Sequence, residues 1–156
     1  MPYLQAVYWD LDGTIANTEL EAHLPAFNNS FKDLSLDWHW DKKTYLDLLK
    51  INGGKNRISF FAKQKSVDIS EDFVIQIHKK KQEHYLNLVN SGVVSLKTGV
   101  NRLIKELSFK NVRQFIVTSS SRNQVELLVS KLFNDKNLFE FFITSDDVKS
   151  LKPHPM

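Results

Sequence analysis

Two carboxylates set two positions apart at the end of an apolar run constrain this chain more than any other feature: Leu4-Gln5-Ala6-Val7-Tyr8-Trp9-Asp10-Leu11-Asp12-Gly13-Thr14. The run from Leu4 to Trp9 has the length and character of a buried parallel strand. Side chains alternate along a strand, so Asp10 and Asp12 would point the same way if it continued, and two anions would crowd one another. A cation must sit there. A hard divalent ion, Mg²⁺, meets that demand with few protein ligands and leaves room for the phosphate oxygens of a substrate. Gly13 permits the turn away from the strand tip, and Thr14 is placed to hydrogen-bond near the turn and hold the second carboxylate. Asp-Leu-Asp-Gly also occurs as a plain acidic turn at strand ends, so the motif needs support from the rest of the chain.

Behind Glu19 the periodicity becomes helical. Leu20, Leu24, Phe27 and Phe31 recur at three- or four-residue spacing, with Pro25 expected to kink or delay the helix. The aromatic stretch around Trp38 and Trp40 is expected to pack, and Asp41 to cap a helix carrying Tyr45, Leu48, Leu49 and Ile51 that stops at Asn52-Gly53-Gly54. A short helix with Ile58, Phe60 and Phe61 follows, then a long one opened by Ser70 and running through Phe73, Ile77, Leu86 and Val89. Beyond Gly92 the pattern alternates: a helix after Thr98-Gly99, a strand at Phe115-Ile116-Val117, a helix from Gln124 to Phe133 and a strand from Phe139 to Ile143. Such alternation implies right-handed βαβ units on a parallel sheet. The expected class is therefore α/β, with a core built from residues 1–17 and 94–156 and an all-helical insertion over 18–93.

Composition narrows the function classes. The 156 residues suffice for an ordinary core with an inserted cap. No apolar run is long enough to span a bilayer, and the N-terminus leads straight into a strand with no signal peptide, so a membrane partner is not expected. With no cysteine there is neither a disulfide framework nor a thiolate metal site, which fits a cytoplasmic location. A net charge of +3 from scattered lysines does not call for nucleic acid, and Lys79-Lys80-Lys81 reads as a solvated helical face. The sequence leaves a protein partner unknown.

Two further segments carry candidate chemistry. Phe115-Ile116-Val117 runs into Thr118-Ser119-Ser120-Ser121, which places hydroxyls and backbone N–H groups between a strand end and a helix N-terminus, an anion site by geometry or else a simple serine N-cap. Lys152 lies in Leu151-Lys152-Pro153-His154-Pro155 and would bring a cation to a cluster of anions.

Asp-Leu-Asp-Gly-Thr-Ile after a hydrophobic strand, the Thr118–Ser121 segment and Lys152-Pro153, taken together, resemble the three signatures of the haloacid dehalogenase superfamily of phosphohydrolases. The resemblance implies a Rossmann-like parallel sheet core with an inserted helical cap. It implies Asp10 as nucleophile and Asp12 as general acid/base, both also metal ligands for Mg²⁺. Ser119 is the implied phosphoryl-binding hydroxyl, with Thr118 as the alternative because the register is ambiguous by one. Ser120 would contribute its N–H, and Lys152 would neutralise the nucleophile and the phosphoryl oxygens. The superfamily continues past this last motif with a helix and a strand that ends in acidic metal ligands, so the core implied here is C-terminally incomplete. Asp146 and Asp147 fall before the lysine, too early to replace them.

Within the superfamily, Thr18-Glu19, His23, Ala26-Phe27-Asn28, Leu36 to Asp41, Tyr45, Leu48-Leu49 and Gly53-Gly54-Lys55-Asn56-Arg57 resemble the CbbY family of cap-bearing sugar phosphatases, relatives of β-phosphoglucomutase. The implied substrate is a small sugar phosphate or bisphosphate, xylulose 1,5-bisphosphate in that family. Gly53, Gly54, Lys55 and Arg57 make physical sense as a second phosphate clamp, the glycines admitting close approach and the two cations pairing with a dianion. The other reading of that segment is a helix N-terminus with incidental basic residues. His23 is expected to reach a sugar hydroxyl at the mouth between cap and core. Leu24-Pro25 and Gln82 depart from the family pattern. A β-phosphoglucomutase-like phosphotransferase shares every core motif, and a catalytically incompetent fragment that only binds phosphate or a partner is the other alternative.

Overall fold

The computed structural model describes residues 3–135 and 137–150, together with Lys152 and His154. In chain order the elements are β1 (Ala6–Trp9), a π-helical turn (Glu19–His23), α1 (Leu24–Asp33), α2 (Lys42–Leu48), α3 (Gly54–Gln64), α4 (Glu71–Asn90), α5 (Val100–Phe109), β2 (Arg113–Val117), α6 (Arg122–Leu132), β3 (Phe142–Ile143) and a 3₁₀ turn (Ser145–Asp147). They gather into two compact units, Met1–Glu19 with Val89–Met156, and Leu20–Leu88.

The first unit is built on a three-stranded parallel sheet in the order β1-β2-β3, with Trp9 opposite Ile116 and Ile116 opposite Phe142. Parallel neighbours need crossover connections, and α6 supplies the one between β2 and β3. Trp9, Leu11, Ile15, Ile104, Phe115, Ile116, Val125 and Leu128 form its buried interior. Gln114 is buried among them and fully engaged: its Oε1 accepts from Trp9 Nε1 at 3.0 Å, and its Nε2 donates to Ile104 O at 3.1 Å and Ser108 Oγ at 2.9 Å. A buried amide is tolerated in a strand only when its hydrogen bonds are met in this way. β1 is shorter than the apolar run, and it is not buried on both faces. Tyr8 stays 64% exposed, stacked on Phe115 at 5.0 Å between ring centres, and Phe115 in turn meets Phe141 at 4.4 Å.

The second unit is helical throughout, and its core explains the aromatic stretch. Trp40 is fully buried against Phe27, Phe31, Tyr45 and Phe61, and Trp38 packs edge-on to Phe31 and Phe61. Asn28 holds this loop by both ends of its amide, Nδ2 donating to Trp40 O at 2.9 Å and Oδ1 accepting from Trp40 N at 2.8 Å. Asp41 caps α2 by accepting from Thr44 N at 2.7 Å, and Ser70 caps α4 through Phe73 N at 3.2 Å. Pro25 is the second residue of α1 and follows directly on the π-helical turn, with His23 already in the helical region; the irregularity expected at this proline is met by that π-helical turn. Phe60 is 43% exposed; the buried stripe of α3 is Ile58, Phe61 and Ala62. Among the described residues no helix is long and apolar enough to cross a membrane.

Candidate active site

The tip of β1 turns back on itself within a few residues. Leu11 O accepts from the amides of Thr14, Ile15 and Ala16, and Gly13 N donates to Ala16 O at 2.9 Å, which closes a tight loop. That closure requires φ of +74° at Gly13, a value only glycine adopts without strain. Asp10 stands at the entrance to this loop, and its two oxygens are engaged separately. Oδ1 accepts from Lys152 Nζ at 2.5 Å, and Oδ2 accepts from Thr14 Oγ1 at 2.9 Å. Thr14 therefore steadies the first carboxylate and not the second, a difference from the sequence expectation: closing the loop at Gly13 brings residue 14 back to residue 10. Lys152 also donates to Val117 O at 2.9 Å, so one ammonium joins the ends of β1 and β2.

Asp12 is held from the other side. Ser120 Oγ donates to Asp12 Oδ2 at 2.5 Å, across 108 positions of sequence. The expected contribution of Ser120 was its N–H, but that amide donates to Thr118 Oγ1 at 3.2 Å, so the hydroxyl is what this residue presents. Thr118 is itself buried, whereas Ser119 is exposed at the end of β2. The amides that follow are also spoken for: Ser121 N donates to Gln124 Oε1 at 3.4 Å and Arg122 N to Asp146 Oδ2 at 2.9 Å. The start of α6 is thus not an open row of donors. Asp147 receives the Thr144 hydroxyl and the Arg122 guanidinium, and these bonds lower its carboxyl to about 2.

The second unit gathers cations. Gly53 has φ of +86° and precedes α3, so Gly54, Lys55 and Arg57 occupy the first turn of that helix. Arg57 is anchored there by Nε donating to Ile51 O at 2.9 Å, and Lys55 is exposed beside it. Gly54 admits a close neighbour from α4, though the neighbour is an imidazole: a Cβ at Gly54 would lie 2.7 Å from His78 Nε2. One turn on, Lys81 is only 4% exposed, with its ammonium 5.2 Å from the Phe27 ring centre and 5.0 Å from that of Tyr85. This corrects the reading of Lys79-Lys80-Lys81 as one solvated face, since a helix turns each of three successive residues to a different side. Lys81 Nζ lies 2.7 Å from His23 Nδ1, whose ring stacks on Tyr85 at 4.4 Å. An ammonium donates in that pair, which leaves the proton of a neutral His23 ring on Nε2. Burial, followed by the positive charges of Lys81 and Lys55, pushes His78 down to about 4. Neither His78 nor Lys81 was a sequence candidate; their spacing of three on one helix was the available signal.

Residues 7–156 match the family model of haloacid dehalogenase-like hydrolases. The chain belongs to that family, and a hydrolase class comes with the membership. It is 35% identical over 154 residues to the protein CbbY of Rhodobacter capsulatus, covering 97% of this chain and 67% of that protein. Among solved structures it superposes on CbbY from Rhodobacter sphaeroides in complex with phosphate, with a TM-score of 0.84 and 34% identity over 98% of this chain and 68% of that one. A mutant of the same protein in complex with xylulose-(1,5)bisphosphate gives the same figures: TM-score 0.84, 34% identity, 98% and 68% coverage. The chain spans about two thirds of the length of these relatives.

Proposed function

We propose that the protein of which this chain is part is an Mg²⁺-dependent phosphatase of a small sugar bisphosphate, with Asp10 as nucleophile. The observation that carries the reading is the pairing of Asp10 with both Lys152 and Thr14, which fixes a carboxylate at a strand end beside a single cation. The CbbY relatives, one of them bound to xylulose-(1,5)bisphosphate, support that compound as substrate. A carboxylate oxygen of Asp10 attacks phosphorus; the P–O ester bond breaks, and its electron pair leaves on the sugar oxygen, which takes a proton from Asp12. Asp12 then removes a proton from water as that water attacks the aspartyl-phosphate, releasing inorganic phosphate and restoring Asp10. Lys152 offsets charge on the attacking group and the phosphoryl oxygens, and the exposed hydroxyl of Ser119 is assigned to the phosphoryl group in preference to buried Thr118.

The donor set fits magnesium. Asp10 and Asp12 offer hard oxygens within one loop; among the described residues no third His, Asp or Glu joins them, and no group of three gathers at any other place. Two carboxylates with phosphate and water completing the shell is the form in which Mg²⁺ is commonly bound. When present it would supply charge neutralisation at the transferring phosphoryl group. In the second unit, Lys55, Arg57 and Lys81 are assigned to the other phosphate of the bisphosphate, with His23 offering Nε2–H to a sugar hydroxyl. The test is release of inorganic phosphate from xylulose 1,5-bisphosphate with Mg²⁺ and with a chelator present. Magnesium-dependent release lost in Asp10→Asn is expected; release that survives either change overturns the reading.

A further inference from the structure

The segment from Phe142 to Asp147 grips the loop that carries Ser120 at four points. Thr118 N donates to Ile143 O at 2.9 Å, Ser145 N to Ser120 O at 3.0 Å and Arg122 N to Asp146 Oδ2 at 2.9 Å. The fourth is the Arg122 guanidinium, whose Nη2 lies 2.8 Å from both oxygens of Asp147 and 3.3 Å from Phe142 O. Asp147 is in turn tied to a fully buried residue, accepting from Thr144 N at 2.8 Å and from Thr144 Oγ1 at 2.7 Å.

An exposed ion pair of this kind adds little to stability, and here both partners keep more than a third of their side-chain surface in water. Its geometric effect is larger. Arg122 is the first residue of α6, two positions after Ser120, and the loop reaches out of this bracket to Asp12 through the Ser120 hydroxyl. The bracket also settles where an anion can bind. Asp146 takes the Arg122 amide, so a carboxylate of the protein already occupies the amino end of α6, a place that would otherwise attract phosphate. Ser119 and Lys152 are then the side chains assigned to a phosphoryl group.

We propose that Arg122, held by Asp147 and seconded by Asp146, is a positioning residue: it sets the 118–121 loop so that Ser120 holds Asp12 for proton transfer and so that phosphate is directed to Ser119 and not to the end of α6. The proposal rests on the reading of Asp12 as acid/base given above.

Two measurements on the full chain test it. The first requires no turnover: amide hydrogen exchange at Ser145, Ser120 and Arg122. Arg122→Ala is expected to speed exchange there by about tenfold or more while exchange in α5 stays unchanged, and Arg122→Lys to restore part of the protection. Exchange that does not move overturns the proposal. The second is Mg²⁺-dependent hydrolysis of a phosphate ester. Misplacement of a catalytic group by about 1 Å costs up to about a hundredfold, so Arg122→Ala is expected to lower kcat ten- to a hundredfold with KM nearly unchanged. Asp147→Asn should follow it. Glu126→Gln, which removes a charge 3.8 Å from the same guanidinium without touching the bracket, should match the parent. Equal effects of Glu126→Gln and Arg122→Ala would show a mere charge effect and overturn the positioning role. A parent chain that hydrolyses nothing would favour the incompetent-fragment alternative for these 156 residues, and the exchange result would still decide whether Arg122 holds the loop.

Discussion

The two candidate sites of this molecule manage charge in opposite ways. In the first unit each carboxylate meets a donor from a distant part of the chain: Asp10 meets Lys152 and Asp12 meets Ser120. In the second unit cations gather: the ammonium groups of Lys55 and Lys81 lie close enough to depress His78, on top of its burial. A site in which each carboxylate already has a donor can hold a nucleophile in a fixed place. A site with surplus positive charge is suited to an anion that supplies the balance. On the proposed reading the first unit does chemistry on one phosphate and the second recognises another.

The largest test of this contrast is Asp10→Asn. Loss of the nucleophile of a covalent mechanism costs about three orders of magnitude or more in kcat, with the fold retained because the isosteric amide can still accept from Thr14. Circular dichroism alongside a phosphate-release assay checks both halves. Turnover within tenfold of the parent would remove the distinction between the two units.

Next in size is Arg57→Ala. Losing one charge-assisted pair to phosphate costs about 2 kcal/mol, so calorimetry should show a bisphosphate weakened by about thirtyfold and a monophosphate hardly at all. Equal losses for the two ligands would mean that the second unit does not discriminate by charge.

The third test is acid. His78 has its pKa lowered from 6.5 to about 4, so the folded state binds fewer protons than the unfolded chain between those values, and stability present above pH 6.5 falls as pH drops toward 4. Urea unfolding monitored by the buried Trp40 should show a loss of about 1 kcal/mol between pH 7 and 5.5, and His78→Gln should remove that slope. A slope unchanged in His78→Gln would show that another group carries it.

The smallest effect belongs to Asp147. Its carboxyl is lowered from 3.8 to about 2, first by Thr144 and then by Arg122, so its share of stability is present above pH 3.8 and is lost as pH falls through 2. The protection of the Ser145 amide, taken relative to its intrinsic exchange rate at each pH, should therefore hold from pH 5 down to about 4 and fall only below that. Protection lost near pH 6 would point to a different group in the bracket.

How much of this could be read from the sequence differs between the two sites. The α/β class and the tight turn at Gly13 were legible, because strand alternation, helical spacing and a positive φ are local demands written in adjacent residues. The same is true of the caps at Asp41 and Ser70. Lys81 was not legible. It sits in a run of three lysines, and only the packing of α4 against Phe27 and Tyr85 decides which of the three is buried. Gly54 was legible as a close approach, but its neighbour, His78, is 24 positions away.

By itself, then, the sequence determined the turn that follows β1, the helical character of residues 24–90 and the family to which the chain belongs, since each rests on residues that are neighbours in the chain. The tertiary structure decided which oxygen of Asp10 meets Thr14, that Ser120 offers a hydroxyl to Asp12 and not an amide to a ligand, and that Asp146 closes the start of α6. The physical reason is the same in each case. A hydrogen bond is directional and short, and a donor 108 positions away is brought within reach only when sheet register and helix position are both set.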